Sequence, residues 1–356
     1  MPGLPAKLKN TALSVLRFMA PIVNARQKSV FNPEAIYVLL LKPLGLGDLL
    51  MISPFIAALC KRQHSLPVFI VTEYREFFSI PAVHWIEPAE LTAGRCERAL
   101  VISPTLSWRH APYLLQAGWS LGYFFSERVL CNFSRLQGQY DARRTHYLER
   151  TAPLASILDA RWPLAKEGSD YPAILKERCV TPLPAEYCCI APYANWPERQ
   201  YPLESWMDVV ASVVRHCPVV LVGGNAPDEL AMAEALAGNG VINLAGVTTL
   251  PQVASVIAGA RVFIGNDSGL SHIAFLTAPS SVAIFGCVGG HQRIPLDPVL
   301  ASRIMVLGKG EGCRDFPCYD GFNRPDCRNR DRYGCLRALK AGTVADAALQ
   351  LMKTAS

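Results

Sequence analysis

The chain has 356 residues, which exceeds the length at which one hydrophobic core usually stops growing, so we expect two packed domains. Hydrophobic residues account for 51% of the chain and charged residues for 18%, which excludes a disordered or fibrous protein. The formal net charge of +6 favours contact with phosphates or anionic lipid surfaces. It is too small to indicate a nucleic-acid-binding protein, and we expect no nucleic-acid partner.

The first 32 residues form a basic, partly apolar segment. Its apolar stretch, residues 12–23, is interrupted by Arg17 and Pro21, so we predict no membrane-spanning helix there. The segment favours an amphipathic element on an anionic membrane surface over a cleaved signal peptide, and an additional helix packed on the first domain is an equal alternative. It contains no acid, and its five cations are Lys7, Lys9, Arg17, Arg26 and Lys28.

Short runs of Val, Ile and Leu alternate with helical patterns in residues 35–160 and again in residues 186–307, as is typical of stacked βαβ units. In the first stretch the pattern predicts, in order, strand Ile36–Leu41, helix Leu49–Arg62, strands Val68–Val71 and Ala99–Ile102, and helix Tyr147–Asp159. In the second it predicts strands Cys188–Ala191, Val219–Val222, Val262–Gly265 and Val282–Phe285, with helices Leu203–Arg215, Asp228–Leu236 and Pro251–Ala258.

This order predicts an α/β protein with two Rossmann-like domains, each built on a parallel sheet. Pro172, Pro182 and Pro184 suit an exposed linker between them. We therefore divide the chain into an N-terminal segment (residues 1–32), a first domain (33–178) and a second domain (179–356). A cleft between two such domains, at the carboxyl ends of the strands, is the expected ligand site.

The loop after the first predicted strand contains Gly45 and Gly47, which let the backbone approach a ligand closely. The third glycine of a dinucleotide-binding loop would fall at Leu50, so this pattern disfavours NAD binding. Asp48 ends the loop where the next helix is predicted to begin. A carboxylate there is either a helix N-cap or a catalytic group, and the spacing leaves both interpretations open.

The segment Gly265–His272 is the most specific pattern in the chain, since a strand ends there in Asn-Asp-Ser-Gly-Leu-Ser-His and a helix begins. Small residues with free backbone N–H groups at a helix N-terminus form an anion-binding site, which the helix dipole strengthens. An ordinary Asp-capped helix with His272 on a packed face is the alternative. Gly269, two hydroxyl residues and the imidazole favour a phosphate site.

The chain has 12 cysteines, of which eight are scattered through apolar contexts that favour reduced core thiols in a cytoplasmic protein. The other four are clustered near the C-terminus. Their spacing is looser than the paired Cys-x2-Cys of common zinc sites, so a structural zinc or iron ion, reduced loop thiols and a disulfide all stay open. The clustered residues are Cys313, Cys318, Cys327 and Cys335.

From about residue 35 to the C-terminus the chain resembles glycosyltransferase family nine, the heptosyltransferases of lipopolysaccharide assembly. The resemblance lies in four ordered segments: Leu39–Pro54, Pro192–Trp206, Leu221–Glu229 and Gly265–His272. It implies a GT-B fold, in which the first domain binds a lipid-linked glycan acceptor and the second binds a nucleotide sugar. It further implies inverting transfer of heptose or a related sugar from an ADP-sugar to a lipopolysaccharide core or related cell-surface glycan, with no cofactor required for catalysis.

The resemblance also implies roles for individual residues. Asp48 matches the general base. Arg199 stands where the family usually has a Lys that contacts the donor phosphates, and the planar fork of Arg suits the same contact. The remaining matches lie in the donor site: the backbone amides of Ser268, Gly269 and Leu270 and the imidazole of His272 at the pyrophosphate, and the acidic residues Asp228, Glu229 and Asp267 for the nucleoside.

Other functions remain as alternatives. A nucleotide-sugar epimerase or hydrolase of the same fold would turn over the donor without an acceptor. A non-catalytic nucleotide-sugar-binding protein is disfavoured by the intact Asp48 and the Asp267–His272 segment, and a dehydrogenase is disfavoured by Leu50. For the transferase, we expect a peripheral location on the cytoplasmic face of the inner membrane.

Overall fold

The computed structural model describes residues 34–41, 45–62, 66–72, 74, 77–80, 83–103, 113, 117–122, 130–131, 145–151, 171–308, 310, 312–319 and 326–354. The basic segment at residues 1–32 lies outside them. Two six-stranded sheets dominate the described residues, one in each half of the chain.

The first half contains eight strands and two α-helices within the described residues. The strands are β1 (Ala35–Leu40), β2 (Val68–Thr72), β3 (Phe78–Ser79), β4 (Val83–Ile86), β5 (Ala99–Ser103), β6 (Trp119–Gly122), β7 (Leu130–Cys131) and β8 (Ala173–Ile174). The helices are α1 (Leu46–Arg62) and α2 (Ala93–Cys96), with 3₁₀ turns at Pro88–Glu90 and Leu148–Thr151. The sheet order is β4-β2-β1-β5-β6-β7, and β3 pairs with β8 in a separate antiparallel ribbon.

The second half contains a parallel sheet in the order β11-β10-β9-β12-β13-β14. Its strands are β9 (Cys188–Ala191), β10 (Val219–Leu221), β11 (Val241–Asn243), β12 (Val262–Asn266), β13 (Ser281–Ile284) and β14 (Ile304–Leu307). The described helices are α3 (Leu203–Val213), α4 (Pro227–Ala235), α5 (Leu250–Gly259), α6 (Gly269–Thr277), α7 (Pro298–Ser302), α8 (Gly334–Ala338) and α9 (Ala341–Thr354), with a 3₁₀ turn at Gly290–Gln292.

The central strands are continuous apolar runs that are buried almost throughout, as is typical of strands in parallel sheets. All four residues of β9 are buried, for example. Helix α3 is amphipathic: it buries Trp206, Val209, Val210 and Val213, a spacing that places them on one face. Helix α1 of the first half packs against α6 of the second, so the two halves share a hydrophobic cluster.

Both six-stranded sheets have the doubly wound order, in which the first and fourth strands along the chain are neighbours. In the first sheet these strands are β1 and β5, and in the second they are β9 and β12. The chain segments that follow two such neighbouring strands run to opposite sides of the sheet. Their divergence opens a crevice at the carboxyl ends of the two strands. The loops after β1, β9 and β12 therefore border the expected ligand site.

The predicted fold class is confirmed, but the sequence patterns missed strands β4, β6, β7, β11 and β14, and two predicted helices differ from those observed. Helix α1 begins at Leu46, not at Leu49, so Asp48 lies inside its first turn. Of the predicted helix Tyr147–Asp159, the structure has a 3₁₀ turn at Leu148–Thr151, and residues 152–159 lie outside the described part. Residues 175–187 contain neither helix nor strand, as a linker requires, and the exact domain boundaries stay predictions.

No helix in the described ranges combines the length and the hydropathy that crossing a bilayer requires.

Candidate active site

Arg199 lies in the loop after β9 and points towards the end of β12. Its Nε is 3.3 Å from Oδ2 of Asp267, and its side chain is 19% exposed. Two aromatic rings hold the guanidinium in place, because its Cζ lies 4.2 Å from the ring centroid of Trp196 and 5.8 Å from that of Tyr319. The two loops at the switch point of the second sheet are thus joined by an ion pair.

Asp267 is 2% exposed and directly follows β12. Burial alone would raise its pKa, but the Arg199 guanidinium, the neighbouring His272 imidazole and the charge of Arg293 hold the pKa of Asp267 well below its usual range. Burial alone would lower the pKa of Arg199, yet the facing Asp267 raises it. Both groups are therefore ionised, and His272 Nε2 completes the cluster 3.8 Å from Asp267 Oδ1.

The N-terminus of α6 follows this ion pair immediately. Ser268 is the N-cap residue, but its side chain makes no capping hydrogen bond. Ser268 Oγ is buried and has no hydrogen-bond partner in the described part of the chain, whereas Arg199 Nε and Asp267 Oδ2 face each other across the ion pair. Since the first amides of a helix lack partners within the helix, these N–H groups, the Ser268 hydroxyl and the Arg199 guanidinium are the donors here that suit an anionic oxygen.

Asp48 caps helix α1 and also faces the second half of the chain, and its catalytic role stays a prediction. Its Oδ2 accepts a hydrogen bond of 3.0 Å from the Gly45 N–H, as a first-turn carboxylate does when it caps a helix. Its Oδ1 faces the second half of the chain, 3.5 Å from Nη1 of Arg293. The side chain is 29% exposed, so capping leaves part of the carboxylate open to the cleft.

Gly47 lies where the two halves meet. A Cβ atom at this position would be 2.4 Å from Cδ2 of His272, which is far below a normal contact distance. A Cβ at Gly269 would lie 3.3 Å from Cβ of Leu46, so the glycine loop and the N-terminus of α6 face each other at close range. The absence of a side chain at Gly47 lets Asp48 approach the group of Arg199, Asp267 and His272.

Arg293 is the site residue that the sequence patterns missed. It follows the 3₁₀ turn Gly290–Gln292 in the loop after β13 and is 4% exposed. Its guanidinium Cζ lies 5.1 Å from the ring centroid of Tyr147 and 5.8 Å from that of Tyr319. Through Asp48 and Tyr147 it contacts the first half of the chain, and through Tyr319 it neighbours Arg199.

The acidic candidates for the nucleoside lie at the start of α4. Glu229 is half-buried, and its carboxylate accepts a short hydrogen bond from the Gly224 N–H. Asp228 is exposed. Burial first, and then the charges of these two carboxylates, raise the pKa of the Tyr193 phenol. Asp267 instead joins Arg199 and His272 at the predicted phosphate site.

The four clustered cysteines line one pocket, together with Cys287 and Glu198. None of the cysteines that the structure describes forms a disulfide, so this alternative for the cluster is not supported. Burial raises the pKa of the Cys318 thiol to about 12, and the neighbouring thiols add to the shift. Within the described ranges no three side chains are arranged as metal ligands, so the thiols share a pocket without converging on one point.

The family model for glycosyltransferase family 9 (heptosyltransferase) matches residues 112–315, more than half of the chain. The chain belongs to this family. It is therefore a glycosyltransferase, as the sequence motifs predicted. Asp48 and three of the four clustered cysteines lie outside the matched residues.

Solved structures share the fold at low sequence identity. A family 9 glycosyltransferase from Veillonella parvula DSM 2008 is 17% identical, with 92% of this chain and 100% of that chain covered and a TM-score of 0.65. ADP-heptose lps heptosyltransferase II of E. coli is 18% identical, with 90% and 99% covered and a TM-score of 0.61. No curated protein sequence matches the chain significantly.

A third structure is that of the dodecameric, iron-containing heptosyltransferase TibC from enterotoxigenic E. coli H10407, in complex with ADP-D-β-D-heptose. It is 16% identical, with 93% of this chain and 79% of that chain covered and a TM-score of 0.62. These likenesses confirm the predicted GT-B arrangement of two facing Rossmann-like domains.

Proposed function

We propose that this family 9 enzyme transfers heptose, with inversion, from ADP-heptose to a lipopolysaccharide core acceptor. The observation that carries the proposal is the convergence of the Arg199 guanidinium, the buried Ser268 hydroxyl and the first amides of α6, because these donors suit the diphosphate of a nucleotide sugar. Proteins with this fold are described as an ADP-heptose lipopolysaccharide heptosyltransferase and as a heptosyltransferase in complex with ADP-heptose, which supports this donor and acceptor.

In the proposed donor complex, the Arg199 guanidinium and the first amides of α6 bind the diphosphate, and His272 lies beside it. Asp267 holds Arg199 ionised and aimed at this point. Glu229 is favoured over Asp228 for the ribose hydroxyls because it is half-buried against the turn at Gly224. The cation and the helix dipole offset the charge that develops on ADP as it leaves.

The proposed reaction has one displacement step. Asp48 accepts the proton of the acceptor hydroxyl while that oxygen forms a bond to the anomeric carbon of heptose. The bond from the anomeric carbon to the diphosphate oxygen breaks, and its electron pair leaves with ADP. Asp48 is suited to this role because Oδ1 faces the junction of the two domains while Oδ2 is held by Gly45.

The donor and acceptor are tested by assaying purified enzyme with ADP-heptose, ADP-glucose and UDP-glucose, each with and without lipopolysaccharide that lacks core heptose. We expect heptose transfer only with ADP-heptose and the acceptor together. ADP release at an equal rate without the acceptor would contradict a transferase and would favour the epimerase or hydrolase. A preference for another sugar nucleotide would overturn the donor assignment.

We also propose that the basic segment at residues 1–32 holds the enzyme on the anionic membrane that carries its acceptor. Each cation close to an anionic leaflet contributes about 1 kcal/mol, and salt screens this attraction. The full chain should co-sediment with anionic vesicles at low salt and be released at high salt, whereas a chain that begins at Asn32 should stay in solution. Equal vesicle binding by the two chains would contradict the proposal.

For the clustered cysteines we propose a structural zinc or iron ion. Four thiols around one pocket are a donor set that suits either metal, and binding would require the protonated thiols to ionise and turn inwards. Metal analysis should give about one ion per chain for the wild type. A Cys318→Ser/Cys327→Ser variant should lose it. Four titratable free thiols in a metal-free wild type would contradict the proposal.

A further inference from the structure

Arg293 is a buried cation with few partners. Its side chain is 4% exposed, and its Nε has no hydrogen-bond partner among the residues described. Its polar contacts there run from Nη1, at 3.5 Å to Oδ1 of Asp48 and 3.7 Å to Sδ of Met51. A buried guanidinium is costly unless it acts on a charge, and the carboxylate that it contacts belongs to the opposite domain.

The backbone on both sides of Arg293 is hydrogen-bonded to the first half of the chain. The Tyr147 N–H donates a 3.0 Å hydrogen bond to the carbonyl of Gln292. On the other side, Nε2 of His146 lies 2.8 Å from the carbonyl oxygen of Ile294. Arg293 is thus presented to Asp48 by a segment whose position depends on how the two domains meet.

The two oxygens of Asp48 are oriented from different domains. Gly45, in the same loop, fixes Oδ2, and Arg293 faces Oδ1. Without the second contact, the carboxylate would keep its helix-capping bond but lose the group that orients its other oxygen. Errors of about 1 Å in the placement of a reacting group can reduce a rate by about 100-fold.

We propose that Arg293 is a positioning residue for Asp48, because the second domain supplies the cation that orients the carboxylate of the first domain. The Asp48 carboxylate is then correctly oriented to accept a proton only when the two domains face each other. This inference rests on the proposed role of Asp48 as general base. The competing role for Arg293 is direct binding of the donor diphosphate, since Arg199 and Arg293 both lie beside Tyr319.

The test measures kcat, KM for ADP-heptose and the calorimetric Kd of ADP for Arg293→Gln and Arg293→Lys. We expect Arg293→Gln to lower kcat by 10- to 100-fold, with both donor constants changed by less than about threefold. Arg293→Lys keeps the charge and should recover about tenfold of that loss. Arg215→Gln is the control, because Arg215 is exposed and bonds to Ser212 in the helix that precedes it; it should match the wild type.

A second comparison repeats Arg293→Gln in an Asp48→Asn enzyme. If Arg293 acts through Asp48, the residual rate should fall by less than about twofold, because the group that it orients is already gone. An equal loss in both backgrounds, or an ADP Kd raised tenfold or more, would overturn the inference and favour a phosphate ligand. An Asp48→Asn enzyme with near wild-type turnover would refute the base itself, and that result needs no Arg293 variant.

Discussion

The loops at the carboxyl ends of the two sheets hold their charged residues in different ways. In the second domain, Arg199 after β9 and Asp267 after β12 pair with each other, so the predicted phosphate site is assembled within one domain. In the first domain, Asp48 after β1 faces a cation that the other domain supplies. Two sheets of the same strand order thus carry a proposed donor site that is assembled within one domain and a proposed base, Asp48, that depends on contact with the other domain. The comparison predicts that donor binding and transfer can be separated by mutation.

The largest effect should come from Asp48→Asn, which removes the proton acceptor with little change in shape. General-base catalysis is worth about 10²- to 10⁴-fold in rate, so we expect a loss of transfer in that range. The measurement is initial-rate transfer from ADP-heptose. Near wild-type turnover would show that Asp48 only caps helix α1.

Arg199→Ala should have the next largest effect, and on binding more than on chemistry. It removes the cation of the preformed site, so we expect KM for ADP-heptose to rise by about 10- to 100-fold. Arg199→Lys restores the charge without the planar fork and should recover part of this loss. An unchanged KM for Arg199→Ala would place the phosphate site elsewhere.

Gly47→Ala tests the contact between the two halves. The new Cβ would lie 2.4 Å from the His272 ring, so the ring or the glycine loop must move, and transfer should fall by about tenfold. Gly45→Ala is the matched control, because a Cβ there would have an ordinary contact of 3.7 Å with Asp48 Oδ2. Equal rates for the two variants would show that close approach at Gly47 is not required.

The smallest effect concerns stability as a function of pH. The pKa of Asp267 is lower in the folded chain than in the unfolded chain, so the ionised carboxylate stabilises the fold above about pH 4 and this contribution is lost as the pH falls. Asp267→Asn should lower the Tm at pH 7, and its difference from the wild type should shrink below about pH 4. A constant difference between pH 7 and pH 3 would contradict the ion pair with Arg199.

The sequence predicted the strands and helices of the second domain more closely than it predicted the surroundings of Asp48 in the first domain. The apolar run Cys188–Ala191 is bounded by turn residues and is the strand β9 without change. Helix α1 begins three residues before its predicted start, because the glycine pattern predicts a loop at Leu46, Gly47 and Asp48; the Gly45 N–H bond to Asp48 lets the helix begin at Leu46.

Arg293 could not have been predicted from local pattern. Its role depends on Asp48, which lies 245 positions away, and on how the two domains meet. The available signal was indirect: Arg293 follows the pair Gly289–Gly290 in the loop after the strand next to β12. The four clustered cysteines show the same limit, since spacing placed them together but side-chain directions decide whether they converge.

The most direct test of a preformed donor site in the second domain is calorimetric titration of ADP into wild type, Asp48→Asn and Arg199→Ala enzyme under one set of conditions. We predict that the ADP Kd of Asp48→Asn stays within about twofold of wild type, while that of Arg199→Ala rises by about tenfold or more. Parallel losses in both variants, or a larger loss for Asp48→Asn, would contradict a donor site assembled within the second domain.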